Sequence, residues 1–69
     1  MTDETEIQKI KESAIKTIST KVKKESIETL TVYGTKAIPA ITEIMDNTIS
    51  TEIKTFGLQK IKEIKKSEK

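Results

Sequence analysis

The chain matches itself when it is offset by 31 residues. The tetrapeptide Thr-Ile-Ser-Thr at residues 17–20 recurs at residues 48–51, and eight apolar positions fall on apolar positions at the same offset. A repeat of this length is typical of a helical unit that buries its apolar face against a neighbouring copy. The matched apolar pairs are Ile7/Ile38, Ile10/Ile41, Ala14/Met45, Ile18/Ile49, Val22/Ile53, Ile27/Leu58, Leu30/Ile61 and Tyr33/Ile64.

The repeat and the length together set the domain organisation. A chain of 69 residues is long enough for one domain. We expect a single domain over residues 1–69, made of two repeats at about residues 3–33 and 35–66, with a polar tail at residues 67–69. Paired positions such as Val22 and Ile53 are predicted to occupy equivalent environments.

Each copy has the apolar spacing of two short helices. Apolar positions recur at intervals of three and four residues, as they do on one face of an α-helix. We expect helices at about residues 3–18, 21–33, 36–46 and 51–65. The predicted fold is therefore all-α, with four antiparallel helices forming two stacked helical hairpins, a short α-α superhelix or solenoid.

Several residues indicate where the helices begin and end. Asp3, followed three residues later by Glu6, forms a capping-box pattern at the start of the chain. Gly34 suits the left-handed position that ends a helix, and Thr35 is a candidate N-cap for the next one. Pro39 is expected in the first turn of that helix, where its missing N–H does least harm.

The repeated tetrapeptide is predicted to be the turn within each hairpin. Its hydroxyl groups are expected to accept hydrogen bonds from the amides at the next helix start, while Ile18 and Ile49 anchor the turns in the core. Two small residues, Ser26 and Gly57, also coincide in mid-helix. Because glycine there costs about 1 kcal/mol relative to alanine, we expect a close approach of the paired helix.

Composition limits how such a chain can be stabilised and where it acts. It has no Cys and no His, so disulfides and the usual zinc ligand sets are excluded. A domain this small has a marginal core, and hydrophobic packing, extended by a partner, is what remains. No apolar run approaches the length that spans a membrane, and the start of the chain is acidic. We expect a soluble, cytoplasmic protein that does not bind membranes.

The second copy carries the sequence GTKAIPAI at residues 34–41, the sequence IMD at residues 44–46, and Ile53, Lys54, Gly57 and Ile61. With these residues it resembles a HEAT or HEAT-like helical repeat. The first copy is less similar, with Gln8 in place of Pro39 and Ile15 in place of the Asp beside the turn, and the unit is shorter than the HEAT length of about 40 residues. The resemblance implies an antiparallel helix-pair solenoid that acts as a scaffold or adaptor.

The residues needed for catalysis are missing from the sequence. General acid–base chemistry draws on His or on paired carboxylates with displaced pKa values, and there is no His. The Ser and Thr hydroxyls have no base to activate them. No nucleotide-binding or nucleophile motif occurs. We therefore expect a protein that is not an enzyme, with no cofactor, no metal site and no catalytic residue.

Clustered lysines leave a nucleic-acid role open as the alternative. Lys21, Lys23 and Lys24 lie together at the start of the second helix, and a further group lies near the C-terminus. Positive charge is enough to contact phosphate. However, all 13 basic residues are Lys, the net charge is only +2, and one Tyr and one Phe give little to stack on bases.

We therefore predict a small protein–protein interaction module, an adaptor or accessory subunit of a larger complex. Two repeats leave an open solenoid end, since at least three are usually needed to stabilise such an array. That end is expected to bind another protein or a second copy of the chain, and the alternative is a Lys-mediated nucleic-acid or ribonucleoprotein role. The candidate contact residues are the uncovered aliphatics Leu58, Ile15 and Ile44 and the lysines Lys23, Lys24, Lys54, Lys62 and Lys66.

Overall fold

Four α-helices make up most of the chain. The computed structural model describes the backbone of residues 2–68 and the side chains of residues 3–67. No strand occurs in this part of the chain, which confirms the predicted all-α fold. The helices are α1 (Thr2–Lys16), α2 (Thr20–Thr31), α3 (Ile38–Asp46) and α4 (Thr51–Glu68), and a short 3₁₀ helix (Gly34–Ala37) leads into α3.

Consecutive helices form two hairpins. The turns are short, so α1 lies against α2 and α3 lies against α4. Between these pairs, α1 contacts α3, α2 contacts α4, and α2 also touches α3. We call α1 with α2 the first hairpin and α3 with α4 the second hairpin. Among the extensive contacts of the described residues, α2 has three other α-helices as neighbours, whereas α4 has two.

The core lies between the hairpins and draws on both. Its largest fully buried side chains are Ile27, Leu30, Ile41, Ile44 and Ile53. Burying an aliphatic side chain of this size contributes about 1.5–3 kcal/mol to stability. Because this apolar surface is shared, neither hairpin has a separate core, and the pair forms one folding unit.

The helix starts differ in part from the predicted capping. Because α1 already begins at Thr2, Asp3 lies inside its first turn and the predicted capping box is wrong. The Asp3 carboxylate still lies where the helix dipole favours negative charge. Thr35 is not an N-cap either, since the 3₁₀ helix carries the chain to Ala37, which occupies that position.

Other predicted signals at the helix ends are confirmed. Gly34 has a φ of 71°, the left-handed conformation expected where α2 gives way to the next element. Pro39 lies in the first turn of α3. At the other end of the chain α4 continues through Glu68, so Ser67 of the predicted tail is helical, and residue 69 lies outside the described residues.

Gly57 marks a close approach of α4 to α3. A Cβ atom added at Gly57 would lie 2.5 Å from the sulfur of Met45 and 2.7 Å from its Cγ. Any larger residue must therefore displace the Met45 side chain. The predicted close approach is confirmed for Gly57, while the matching residue in α2, Ser26, is only half-buried.

The repeat fails along one side of the helices. Val22 is 39% exposed whereas its counterpart Ile53 is fully buried, and Ile27 is fully buried whereas Leu58 is 53% exposed. The prediction of equivalent environments is therefore wrong at these two pairs. In α2 the buried stripe runs through Lys23 and Ile27, because α2 lies among three helices and turns this side toward them.

Candidate interaction surfaces

The turn between α1 and α2 is held by its own hydroxyl groups. The backbone N–H of Ser19 donates to Oγ1 of Thr17 at 3.1 Å, and the N–H of Val22 donates to Oγ of Ser19 at 3.2 Å. Ser19 has an extended backbone and is the N-cap of α2. It gives a partner to one of the amides that a helix start leaves unpaired, so the predicted capping role is confirmed.

The turn between α3 and α4 has the same hydrogen bonds. The N–H of Ser50 donates to Oγ1 of Thr48 at 3.2 Å, and the N–H of Ile53 donates to Oγ of Ser50 at 3.3 Å. Each bond matches its counterpart in the first turn to within 0.1 Å. The repeated tetrapeptide therefore forms one local structure twice.

The isoleucine of each turn faces solvent. Ile18 is 98% exposed and Ile49 is 97% exposed, so the prediction that they anchor the turns in the core is wrong. In the first turn, Thr17 and Ser19 direct their oxygens at the backbone, and the side chain between them in an extended stretch points the other way. The hydrogen bonds alone hold the turn, and the apolar side chain is left in water.

The predicted aliphatic contacts differ in accessibility. Leu58 is exposed, as expected for a residue that no further hairpin covers, and Ile15 is half-buried. Ile44 is fully buried, so its prediction as a contact residue is wrong. The reason is that α3 lies against α1, α2 and α4, which together close over its apolar stripe.

Lys23 is also buried and is not a contact residue. Its Nζ donates to the carbonyl oxygen of Ala14 at 2.8 Å, and only 8% of the residue is exposed. Ala14 belongs to the last turn of α1, where carbonyl groups lack a partner within the helix and a positive charge is favoured. Lys23 therefore caps α1 from α2, and the prediction that it contacts a partner is wrong.

The end of α3 is capped by a different residue. Asn47 donates both its backbone N–H and its side-chain Nδ2 to the carbonyl oxygen of Glu43, at 3.1 and 2.8 Å. The repeat places Lys16 at the matching position of the first hairpin. Since the local Asn cap serves α3, Lys54, the counterpart of Lys23, remains exposed.

The predicted lysine cluster of α2 is therefore divided. Lys24 forms an ion pair with Glu52 in α4, and its Nζ lies 5.8 Å from the centre of the Phe56 ring. Lys60 approaches the same ring to 5.2 Å. The contacts of Lys24 join α2 to α4, and Lys21 is left as the exposed member of the cluster. The other predicted contact lysines, Lys54, Lys62 and Lys66, are exposed on α4.

A long-range hydrogen bond joins the end of the first hairpin to α1. The Tyr33 hydroxyl donates to Oε1 of Glu6 at 2.7 Å. This bond raises the pKa of Tyr33 above its usual value, and burial and the negative charges of Glu6 and Asp3 act in the same direction. No local pattern predicts the contact, because the two residues lie 27 positions apart.

Comparison of the chain with protein-family models, with curated proteins and with solved structures gives no match. The resemblance to HEAT repeats therefore remains a prediction from the sequence. Among the described residues, no three His, Cys, Asp or Glu side chains come together in a way that could hold a metal ion. None of the described helices has the length and apolar character to cross a membrane.

Two surfaces stand out from this geometry. The first is the outer side of α4, which carries the exposed Leu58 between Lys54 and Lys62. The second is the turn end, formed by residues 17–20 and 48–51, with its two exposed isoleucines. Large apolar side chains exposed in this way are where a protein surface gains most from being covered.

Proposed function

We propose that this chain is a protein–protein interaction module, a small HEAT-like adaptor or accessory subunit of a larger assembly. The observation that supports it best is the contrast between Ile27 and Leu58. The two residues occupy the same position in the repeat, yet Ile27 is fully buried and Leu58 is 53% exposed. The first hairpin is covered at this position and the second is not.

The cause of the contrast lies in the neighbours of each helix. Among the α-helices of the described chain, α2 is in extensive contact with α1, α3 and α4, whereas α4 is in extensive contact with α2 and α3 only and otherwise touches the short 3₁₀ helix. Leu58 therefore lies on a side of α4 where a further helix would fit. A partner helix on this side would bury Leu58, as the second hairpin buries Ile27.

The charges around Leu58 indicate what kind of helix would fit. Lys54 and Lys62 lie four residues before and after Leu58, so all three share one side of α4. Both lysines are exposed. The complementary partner is an amphipathic helix with an apolar residue at the centre of its contact and acidic residues around it.

The exposed lysines of α4 also favour the second candidate, a Lys-mediated nucleic-acid role. Lys54, Lys62 and Lys66 are all accessible on this one helix. On α2 only Lys21 extends the basic surface, since Lys23 is buried and Lys24 is paired with Glu52. A nucleic-acid complex would weaken steeply with added salt and would also be destroyed by nuclease, and the nuclease sensitivity separates it from a contact with an acidic protein helix.

Site-specific photo-crosslinking in the native cell tests the proposal. A photoreactive amino acid is placed at Leu58 and, as a matched control, at Glu12, which is exposed on α1. We expect a protein adduct from position 58 and none from position 12. The double charge reversal Lys54→Glu with Lys62→Glu should abolish the adduct, whereas Lys9→Glu on α1 should leave it unchanged.

The outcomes separate the two candidates. A protein adduct that depends on Lys54 and Lys62 supports the interaction module. An adduct sensitive to nuclease, together with a salt-dependent mobility shift with RNA or duplex DNA, would support the nucleic-acid role instead. Equal adducts from positions 58 and 12 would show that the outer side of α4 is not a binding surface.

A further inference from the structure

The two repeated turns lie side by side at one end of the molecule. The ion pair between Lys24 and Glu52 joins the beginnings of α2 and α4. At their other ends, Thr31 and Ile64 line one shared cleft. The two helices therefore run in the same direction, about 8–10 Å apart as packed helices are, and both turns lie where they begin.

This turn end exposes two isoleucines in matched positions. Ile18 and Ile49 are each almost wholly exposed, and each is presented by the same pair of hydroxyl hydrogen bonds. The two side chains therefore have equivalent local geometry. The turns are held without any contribution from packing of the isoleucines, so both side chains are available to a contact outside the chain.

The residues that flank the two turns differ in charge. Lys16 and Lys21 lie directly on either side of the first tetrapeptide, whereas Glu52 directly follows the second and Asp46 lies two residues before it. All four are exposed. Neither Lys16 nor Asp46 forms an ion pair within the described residues. One turn therefore has a basic rim and the other an acidic rim around the same apolar side chain, and within the acidic rim Asp46 carries the charge that is not paired, since Glu52 is paired with Lys24.

We propose that the turn end binds a second copy of this chain about a two-fold axis. Ile18 of each copy packs against Ile49 of the other, and the basic rim of each faces the acidic rim of the other. A two-fold interface requires that if one patch contacts a second, the second contacts the first in return. Opposite charges around equivalent isoleucines meet this requirement, since pairing like turns would bring Lys against Lys and Asp against Asp.

The surface contributed by two turns is small. Interfaces well below about 1,200 Å² are typical of transient complexes. The dimer is therefore expected to be in rapid exchange with the monomer and to depend on concentration. An anionic membrane is a poorer occupant, because Asp46 would be repelled from it and would offset the attraction of Lys16 and Lys21.

Sedimentation equilibrium over a range of concentrations tests this inference. The wild-type chain should shift toward a dimer as its concentration rises, and Ile18→Ser with Ile49→Ser should weaken association at least tenfold. Both side chains are almost fully exposed, so the helical circular dichroism should not change. Leu58→Ser is the matched control, since that residue is exposed on a different surface and should leave association as it is.

A charge-swap experiment tests the pairing of the turns. Lys16→Asp would place like charges at both contacts of its own dimer, and so would Asp46→Lys. Each variant alone should therefore associate at least tenfold more weakly than wild type. Mixed one to one they should dimerise again. The carboxylate introduced at position 16 of one variant would then face the ammonium group introduced at position 46 of the other, while the unaltered Lys16 and Asp46 pair at the second contact.

The following results would overturn the inference. They are a wild-type chain that stays monomeric at all concentrations, association unaffected by the two Ile→Ser changes, and a charge-swapped mixture that does not recover. Isoleucine-dependent co-sedimentation with vesicles of phosphatidylserine and phosphatidylcholine would instead assign the turn end to a lipid surface. The inference does not depend on the proposed function, and loss of dimerisation on Leu58→Ser alone would move self-association to the outer side of α4.

Discussion

The two hairpins share their turns and differ in how their helices are covered. Both turns use a Thr and a Ser in the same two hydrogen bonds. Away from the turns, α2 buries Lys23 and Ile27 among three helices, whereas α4 leaves Leu58 in water. Local hydrogen bonding is therefore a property of the repeated residues, while burial depends on which neighbours the position has.

The ends of α1 and α3 give the same contrast. α3 is capped by Asn47, which bonds to the carbonyl of Glu43 four residues earlier. α1 has no Asn at the matching position, and Lys23 reaches across from α2 to the carbonyl of Ala14. The end of α3 is capped by a residue next to it in the sequence, and the end of α1 is capped by a tertiary contact. Substitutions at matched positions should therefore have unequal effects on stability.

The largest expected difference is between Ile27 and Leu58. Ile27→Ala should lower the free energy of unfolding by about 2–5 kcal/mol, because it leaves a cavity in a fully buried site. Leu58→Ala should change it by less than about 0.5 kcal/mol, since an exposed side chain gains little from folding. Urea denaturation followed by circular dichroism measures both.

If Ile27→Ala does not fold, Ile27→Val gives the same comparison at about 0.5–1.5 kcal/mol. Equal effects at positions 27 and 58 would contradict the difference in burial, and with it the proposed binding side of α4.

A smaller difference is expected between Lys23 and Lys54. Lys23→Ala should cost about 1.5–3 kcal/mol, because it removes a charged hydrogen bond to a helix end and the packing of the buried stem. Lys54→Ala should stay within about 0.5 kcal/mol. The same urea denaturation applies, and Lys23→Met, which keeps the stem, isolates the contribution of the ammonium group. A Lys23→Ala variant as stable as the Lys54→Ala variant would show that α1 does not depend on this cap.

The smallest expected difference between matched positions is the pH dependence of stability at Tyr33, because its counterpart Ile64 carries no titratable group. The pKa of Tyr33 is raised in the folded chain, mainly by the hydrogen bond to Glu6. The resulting stabilisation is therefore fully present below the ordinary tyrosine pKa of about 10 and is lost as the pH rises through the higher folded value. Alkaline titration followed by the phenolate absorbance gives the pKa of Tyr33 in the folded chain as its midpoint, since the chain has a single Tyr and no Trp.

Glu6→Gln should move this midpoint back toward the ordinary value, because the amide carries no negative charge. Glu12→Gln, on the exposed part of the same helix, is the control and should leave the midpoint unchanged. A wild-type midpoint at or below the ordinary value would contradict the contact between Tyr33 and Glu6.

Much of the fold could be predicted from the sequence, because its signals are local. Apolar spacing indicated the four helices, Gly34 and Pro39 marked the connection between the hairpins, and Gly57 indicated the close approach to α3. The side of α2 that is buried could not be predicted in this way. A repeat aligns residues by position, and the rotation of a helix depends on how many neighbours surround it.

The candidate surfaces were predicted less well. Leu58 was expected to be exposed and is, while Ile44 and Lys23 were expected to be accessible and are buried. Ile18 and Ile49 were expected in the core, since isoleucine in a turn is more often an anchor than an exposed side chain. The absence of an Asn cap at the end of α1 was the one signal in the sequence that could have pointed to Lys23.

The buried ammonium group of Lys23 has a practical consequence. Amine-reactive reagents modify exposed lysines whether or not the chain is folded, and most lysines in the described part of the chain are accessible. Lys23 is held against a carbonyl group and shielded from solvent, so its labelling should await the separation of α1 from α2. The rate of acetylation at Lys23 would therefore report the rate at which the first hairpin opens. Such a probe is useful because the chain has no tryptophan whose fluorescence could follow the opening.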